Sequence, residues 1–209
     1  MIKHKSSKLV AGFTIVELLV SSGIIVLILG VVMAGYPKFK TRSSLSAVAR
    51  ETALFVREAQ VYGLAVKEFH QGDDVFPPYG VHISKDKPKE IILFGDLDEG
   101  RSGVYDSHDG CGGEKTECRK RFNFAGPEYI AKMCVNQGGG TAMGDEDSEE
   151  NCDIPELNIS FHRPEPEAVI IVDDIGYRYN SARLFIKSSK DTGSTRIVRV
   201  WITGQISVE

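Results

Sequence analysis

The first pattern along the chain is a long apolar run that contains one charge. Residues 13–36 are mostly apolar, and the one charged residue among them is Glu17. About 20 apolar residues cross the hydrocarbon core of a bilayer as a helix, so the run predicts a transmembrane helix over 13–36. A carboxylate inside such a helix costs about 2.5–3.5 kcal/mol on insertion scales. We therefore expect Glu17 to be paired with a partner or used for a function.

The next segment has the periodicity of a helix with one apolar face. Its stripe residues recur three or four positions apart, at Leu45, Val48, Thr52, Phe55, Ala59, Tyr62, Val66 and Phe69. This spacing places them on one side of a helix, which predicts an amphipathic continuation over 37–70. Pro37 removes a backbone donor and should kink the helix or end it locally. The stripe would also suit a coiled coil, but we favour packing against the chain's own sheet.

From residue 71 onward the apolar period changes to two, which is typical of strands. Strands are predicted at Tyr79–Ser84, Glu90–Phe94, Tyr129–Val135, Leu157–His162, Ala168–Val172, Arg183–Lys187, Arg196–Ile202 and Gln205–Val208. Asp191–Ser194 and Thr203–Gly204 are predicted turns, and Gln137–Asp153 is a predicted exposed loop. The fold class is therefore α+β, a long N-terminal helix packed on an antiparallel β-sheet or pair of sheets. The β-rich globular domain covers 71–209 and carries an insert at about 96–153.

The start of the apolar run carries a specific motif. The residues are Gly12-Phe13-Thr14-Ile15-Val16-Glu17-Leu18-Leu19, preceded by Lys3, Lys5 and Lys8. This motif resembles the processing site of type IV prepilins and type II secretion pseudopilins. The resemblance implies a pilin-like fold and a leader over 1–12 that prepilin peptidase removes after Gly12. It also implies N-methylation of Phe13 and a role for Glu17 in assembly with other pilin subunits and the inner-membrane assembly platform.

Two simpler interpretations of the N-terminus remain open. The apolar run could be a plain anchor in membrane lipid, with the lysines holding the N-terminus in the cytoplasm. It could also be a secretory signal peptide cleaved after Val32-Met33-Ala34. Neither interpretation explains Glu17, so we favour the prepilin one. It places a single-pass protein in the bacterial cytoplasmic membrane, with an extracytoplasmic globular domain that later joins a pilus or pseudopilus.

The second half of the chain adds to the resemblance. The helix stretch Leu54–Gln60, the Phe161-x-Arg163-Pro164 turn and the closing strand–turn–strand over 196–208 are similar to FimT-like and GspH-like minor pilins. This implies a low-abundance subunit at or near a filament tip. The expected function is a minor pilin or pseudopilin. The alternative is a tip-located subunit that binds DNA, a surface or a secreted substrate.

Charge and cysteine usage bear on partners and compartment. The net charge is −4, and loss of the three leader lysines would make it −7 for side chains alone, which argues against a general nucleic-acid binder. DNA binding would need a local patch from Arg178, Arg183, Arg196 and Arg199, although Arg196 and Arg199 fall on opposite sides of a regular strand.

Four cysteines lie beyond the apolar run, in the part placed outside the cytoplasm, where disulfides persist. Of the three possible pairings we favour Cys111–Cys118 and Cys134–Cys152 as nearest neighbours. A zinc site is the alternative, but the chain has no C-x-x-C pair.

One acidic turn is a candidate metal site. Asp96, Asp98 and Asp106 supply oxygen ligands beside glycines, which resembles a calcium loop, although the EF-hand spacing is not met. A solvated acidic turn is the simpler interpretation. No other cofactor is indicated. We find no Gly-x-Ser-x-Gly elbow, phosphate loop or ligand-spaced histidine pair, so the sequence does not predict an enzyme.

Overall fold

The computed structural model describes residues 12–70, 72, 74–98, 100, 102–106, 111, 116–136, 150–152, 154–172 and 179–209. These residues form one helix and ten strands. The chain divides into two compact units, Met1–Lys40 and Thr41–Glu209.

The helix α1 covers Ile15–Leu64 and contains Pro37. Of the two outcomes expected at Pro37, a local end does not occur, because the helix continues through this residue; a kink stays a prediction. The helix does end before the predicted residue 70. Val66 has a φ of +53°, a left-handed conformation that cannot continue a right-handed helix. Phe69, the last residue of the stripe, is nevertheless buried in the core.

The strands form two five-stranded sheets in which all neighbours are antiparallel. The first sheet has the order β3-β2-β1-β6-β7. Its strands are β1 Tyr79–Ser84, β2 Glu90–Gly95, β3 Cys118–Asn123, β6 Glu156–Phe161 and β7 Ala168–Val172. The second sheet has the order β10-β9-β8-β4-β5. Its strands are β4 Glu128–Asn136, β5 Glu150–Asn151, β8 Ser181–Ser188, β9 Asp191–Trp201 and β10 Ile206–Val208.

Two details of the sheets differ from the sequence prediction. The sequence does not predict strands β3 and β5, because β3 carries three consecutive cations and β5 has only 2 residues. The predicted turn at Asp191–Ser194 is wrong, because the chain turns at Ser189 and Lys190 and these four residues open β9. They bulge out of the ladder, since Ser188 pairs with Asp191 while Lys187 already pairs with Thr195. The turn predicted at Thr203–Gly204 is present, between β9 and β10.

One apolar core joins the helix and both sheets within Thr41–Glu209. Helix residues such as Phe55 and Ala59 share it with inward-facing residues of both sheets, such as Val81 and Leu184. The helix approaches the first sheet closely at Gly63, where a Cβ would come within 2.6 Å of the Phe161 carbonyl oxygen. The fold is therefore α+β, with one long helix and a pair of antiparallel sheets, as the sequence predicted.

A smaller apolar cluster covers the other face of the first sheet. Ile92, Phe94 and Cys118 pack there with Tyr105, which belongs to the segment after β2. His82 lies under the same segment and forms a 2.8 Å hydrogen bond through Nδ1 with the Asn158 side-chain oxygen. Burial lowers the pKa of His82 from its ordinary value, because a buried imidazole loses the hydration that stabilises its charged form.

Candidate functional site

The motif of the sequence analysis lies at the start of α1. Thr14 caps the helix: the Glu17 backbone N–H donates to the Thr14 hydroxyl at 3.2 Å, and the Leu18 N–H donates to the Thr14 carbonyl at 3.1 Å. A threonine cap followed three residues later by a glutamate is the spacing of a capping box. Glu17 therefore lies in the first turn, where a negative charge complements the helix dipole, and close in sequence to the Gly12–Phe13 bond.

The apolar side chains after this turn are exposed in the part of the chain that the structure describes. Every residue from Gly12 to Lys40 is exposed, and Phe13 and Leu27 keep 80% and 73% of their surface. Within the described part of the chain, α1 is the one helix that is long and apolar enough to cross a membrane. Exposure on this scale in water would be a severe aggregation liability, so the segment fits a lipid or protein environment.

Glu17 itself is free to interact. Its side chain is exposed, and its carboxylate has no hydrogen bond or ion pair with any residue that the structure describes. The cap uses only its backbone N–H. A carboxylate at the start of an apolar helix is therefore available to a positive group outside the described residues.

The far end of α1 contains a buried polar contact. Gln60 is 4% exposed, and its Nε2 donates to the carbonyl oxygens of Gly204 at 3.0 Å and Pro166 at 3.2 Å. Its Oε1 accepts from Arg57. Gln60 lies in the helix stretch Leu54–Gln60, and Gly204 lies in the closing turn between β9 and β10. The structure thus brings these two segments into direct contact.

The closing turn fits its site only with glycine. Gly204 has a φ of +80°, and a Cβ there would lie 2.1 Å from the Pro166 carbonyl oxygen and 2.5 Å from Gln60 Nε2. Both the left-handed φ and the close backbone approach exclude a larger residue. The sequence could locate the turn, but not the glutamine that holds it.

The acidic turn after β2 is organised by two buried carboxylates. Asp96 and Glu117 are 2% and 5% exposed. Asp96 accepts from the backbone N–H of Asp98 at 3.1 Å and of Gly103 at 2.6 Å. Glu117 accepts from the N–H of Leu97 and of Asp106, both at 3.0 Å. These bonds hold the backbone of Leu97, Asp98, Gly103 and Asp106 in place.

The carboxylates that lie close together in the structure differ from the metal ligands that the sequence predicts. Oxygens of Asp96, Asp98 and Glu117 lie within 4.8 Å of one another. Asp106 does not belong to this group, since it takes part through its backbone N–H. Burial raises the pKa of Glu117, and the nearby Asp98 and Asp96 carboxylates add to this, while its two backbone hydrogen bonds oppose it. Each carboxylate oxygen of Asp96 and Glu117 already accepts a backbone N–H. Calcium binding at this turn stays a prediction, and its candidate ligands now include Glu117 in place of Asp106.

The four cysteines form two disulfides. Cys111 is bonded to Cys118 and Cys134 to Cys152, with Cα separations of 4.6 Å and 4.0 Å. The bonded cysteines are 7 and 18 positions apart in the sequence. With all four cysteines bonded, none offers a thiolate to zinc in this structure.

The second sheet presents cations and aromatic rings on its outer face. Arg183 and Arg199 are register partners on β8 and β9. The Arg199 guanidinium lies 4.9 Å from the Trp201 ring centroid and its Nε lies 3.4 Å from Glu209 Oε1. Lys132 Nζ lies 5.3 Å from the Phe185 ring centroid. Of the predicted arginine patch, Arg183 and Arg199 meet here.

The other two members of that patch are not part of this surface. Arg196 points to the helix side, where its Nε donates to the Ser46 hydroxyl at 3.0 Å. This is the opposite direction to Arg199, as strand alternation requires. Arg178 lies outside the described residues.

Comparison with known proteins found no match: no protein-family model, no curated protein and no solved structure matches this chain. The functional assignment therefore rests on the residues and geometry given above.

Proposed function

We propose that this chain is a minor pilin or pseudopilin, a structural and assembly subunit of a type IV pilus or a type II secretion pseudopilus. The observation that carries the proposal is a single exposed carboxylate, Glu17, in the first turn of a helix whose following residues are apolar and unburied. Prepilin peptidase would cleave after Gly12, and Phe13 would become the N-methylated first residue.

The chemistry of the motif gives Glu17 its role. Cleavage after Gly12 leaves Phe13 with a free amine, which is protonated near neutral pH by its reference pKa of about 8. The helix N-terminus adds partial positive charge. A carboxylate in the same region neutralises both, either within one subunit or between neighbours. Because an unpaired charge in lipid is costly, pairing favours side-by-side packing of helices in one register.

The first part of α1 is exposed and the later part is buried in the core, and this difference supports the same function. Residues 12–40 are exposed, while Leu45, Phe55 and Ala59 are fully or nearly buried in the core of the globular part. One continuous helix thus offers an apolar surface to lipid or to other helices and anchors a separately folded domain. Gly23 and Gly30 have no heavy atom within 4 Å of a Cβ position, so they leave a small surface for close helix packing.

The experiment that tests the proposal is filament incorporation of Glu17→Ala. We expect the variant to insert into the membrane normally and to be absent from sheared filaments, because the paired carboxylate is lost. Glu51→Ala is the matched control, since Glu51 is an exposed glutamate on the same helix beyond the apolar run. Normal amounts of Glu17→Ala in filaments would overturn the assembly role.

A second candidate function is binding at the filament tip, to DNA, a surface or a secreted substrate. The cationic and aromatic face of the second sheet favours it, because cations beside half-exposed rings suit phosphate contacts and base stacking. DNA binding would weaken steeply with added salt and would fall in Arg199→Ala. If DNA binding were independent of salt, or absent, DNA would be excluded as the ligand of this face and the assembly role would be unaffected. A plain membrane-anchored β domain is the reading that remains if Gly12 is not cleaved.

The same proposal gives the location of the protein. The three leader lysines would hold the N-terminus in the cytoplasm before processing, and the globular part would be extracytoplasmic. The two disulfides support this, because such bonds persist outside the reducing cytoplasm and both lie in the globular part.

A further inference from the structure

The chain is cationic where it leaves the apolar run. Every charged residue between Tyr36 and Glu51 is basic: Lys38, Lys40, Arg42 and Arg50. The chain as a whole is acidic, with a net charge of −4. In the proposed topology these cations follow the membrane segment on the extracytoplasmic side. The positive-inside rule favours lysine and arginine on the cytoplasmic side, so it does not account for them. Their concentration at this point therefore needs another explanation.

One of them lies in a cleft with a second arginine. Arg42 and Leu45 of α1 and residues Gly193–Arg196 of β9 line a cavity of about 340 Å³. Arg42 is exposed, and Leu45 forms the buried floor. The cleft belongs wholly to the globular unit that begins at Thr41.

The bulge at the start of β9 builds one wall of the cleft. Asp191 holds it, because its carboxylate accepts from the Gly193 N–H at 3.1 Å and from the Ser194 hydroxyl at 2.8 Å. A bulge of this kind re-aims the side chains beside it. Here it brings the polar side chains of Ser194 and Thr195 to the cleft.

The second arginine is held in place from one side. Arg196 Nε donates to the Ser46 hydroxyl at 3.0 Å, and no other hydrogen bond of this guanidinium is formed with a described residue. A guanidinium has five N–H donors in a fixed fork that matches the oxygens of a phosphate. Arg196 therefore presents preoriented donors, and Arg42 adds a second positive charge.

Asp191 is an acidic group of the bulge beside the cleft, and the described residues that line the cleft include no other acid. Its bonds to Ser194 and Gly193, together with the charge of Arg42, lower its pKa, so it stays ionised near neutral pH. Its two oxygens are occupied within the bulge. The two arginines outweigh it by one positive charge, and the exposed Lys190 adjoins it in sequence.

We propose that this cleft binds the phosphate of an anionic phospholipid at the membrane surface through Arg42, Thr195 and Arg196, since the Ser194 hydroxyl already donates to Asp191. The inference rests on the proposed function only in that it takes 13–36 as the membrane segment. Arg42 is the sixth residue after Tyr36, so even a fully extended chain keeps it within about 20 Å of the end of the apolar run. This closeness in sequence to the membrane segment favours a lipid over free phosphate.

The bound headgroup would hold the subunit at the membrane surface before assembly. Extraction of the subunit into a filament would break the contact. Each cation near an anionic surface strengthens binding about fivefold, so the expected contribution of the two arginines is well above that of a single exposed cation.

The test is lipid binding by the full-length chain in neutral detergent, measured by native mass spectrometry. Short-chain phosphatidylglycerol and phosphatidylcholine are titrated separately, and inorganic phosphate is added as a competitor. We expect phosphatidylglycerol to bind more tightly, Arg42→Gln to weaken it about fivefold, and Arg42→Gln with Arg196→Gln to weaken it further. Arg119→Gln, which removes an exposed cation of β3, should change nothing.

Three outcomes would overturn the inference. These are equal affinity for the two lipids, an equal effect of Arg119→Gln, and displacement of the lipid by inorganic phosphate at similar concentration, which would make the cleft a free-phosphate site. Fluorescence of Trp201, the sole tryptophan, reports whether each variant is folded, and Arg42→Gln alters only an exposed helix residue. The assay needs no peptidase, so its failure is distinguishable from failure of cleavage after Gly12.

Discussion

The hydrogen bonds of Gln60 give the sharpest prediction about the globular part. Gln60→Ala removes a buried side chain that donates to the carbonyl oxygens of Gly204 and Pro166. Gly204 is buried, whereas Pro166 is exposed, so water can replace the glutamine at Pro166 but not at Gly204. One buried carbonyl left without a donor costs about 1–3 kcal/mol. The void left by the amide adds to this cost.

The measurement is urea unfolding of the full-length protein in detergent, followed by the fluorescence of Trp201. This residue closes β9, next to the turn that Gln60 holds. A loss of about 2 kcal/mol, divided by a urea slope of about 2 kcal/mol per molar, shifts the midpoint down by about 1 M. The slope itself should not change, because the same surface is exposed on unfolding.

Gln205→Ala is the control for this prediction. Gln205 is exposed and adjoins the same turn, and only its backbone carbonyl contributes, as acceptor of the Trp201 N–H at 2.9 Å. Its truncation should leave the midpoint within the error of the wild type. If Gln60→Ala were no less stable than Gln205→Ala, the helix would not hold the closing turn through this side chain.

Three further predictions follow from contacts described above. Gly63→Ala should lower the free energy of unfolding by about 1–3 kcal/mol, because a Cβ meets the Phe161 carbonyl oxygen at 2.6 Å. The control Gly100→Ala, with open space around the added Cβ, should leave this free energy unchanged. Equal effects of the two variants on urea unfolding would refute the close approach. The pKa of His82 is lowered on folding, so the unfolded chain binds the proton first and the free energy of unfolding should fall as the pH drops below about 6.5, by at most about 1.4 kcal/mol per pH unit from His82. His82→Gln should lack this loss, and a pH profile identical to that of the wild type would contradict the prediction. Calcium should raise the thermal midpoint and Asp98→Asn should abolish the rise, since Asp98 supplies one of the three clustered carboxylates; the same rise in the variant would exclude this turn as its source.

The elements with strong periodicity could be predicted from the sequence. The stripe from Leu45 to Ala59 alternates three and four positions apart, and the structure buries most of it in the core. Strands such as β1 and β6 alternate with period two because one face of each meets the helix side and the other meets a different neighbour. In both cases a local pattern reflects a single long-range constraint, the direction of the core.

Elements that lack such a pattern could not be predicted. Strand β3 has the sequence Cys-Arg-Lys-Arg-Phe-Asn, and its three cations suppress the strand signal. They are nevertheless understandable, because β3 is an edge strand and charge on an edge discourages pairing with other chains. Its inward contacts come from Phe122, whose ring centroid lies 5.4 Å from that of Phe55.

The candidate sites show the same limit. The sequence places Gly12, Phe13 and Glu17 together because they are adjacent, and it places Asp96 near Asp98 for the same reason. It could not place Glu117 beside them, since that contact depends on the pairing of β2 with β3. The Gln60–Gly204 contact, which joins residues 144 positions apart, depends likewise on the packing of the helix against the closing turn.

The measurement that most directly tests the central claim is the mature N-terminus. It would be determined by mass spectrometry of the protein from cells with and without prepilin peptidase. The account predicts a chain that begins at N-methylated Phe13 when the peptidase is present and an uncleaved Gly12–Phe13 bond when it is absent. A chain that keeps Met1 in both strains, or begins at Gly35, would contradict the prepilin assignment and the assembly role of Glu17 with it.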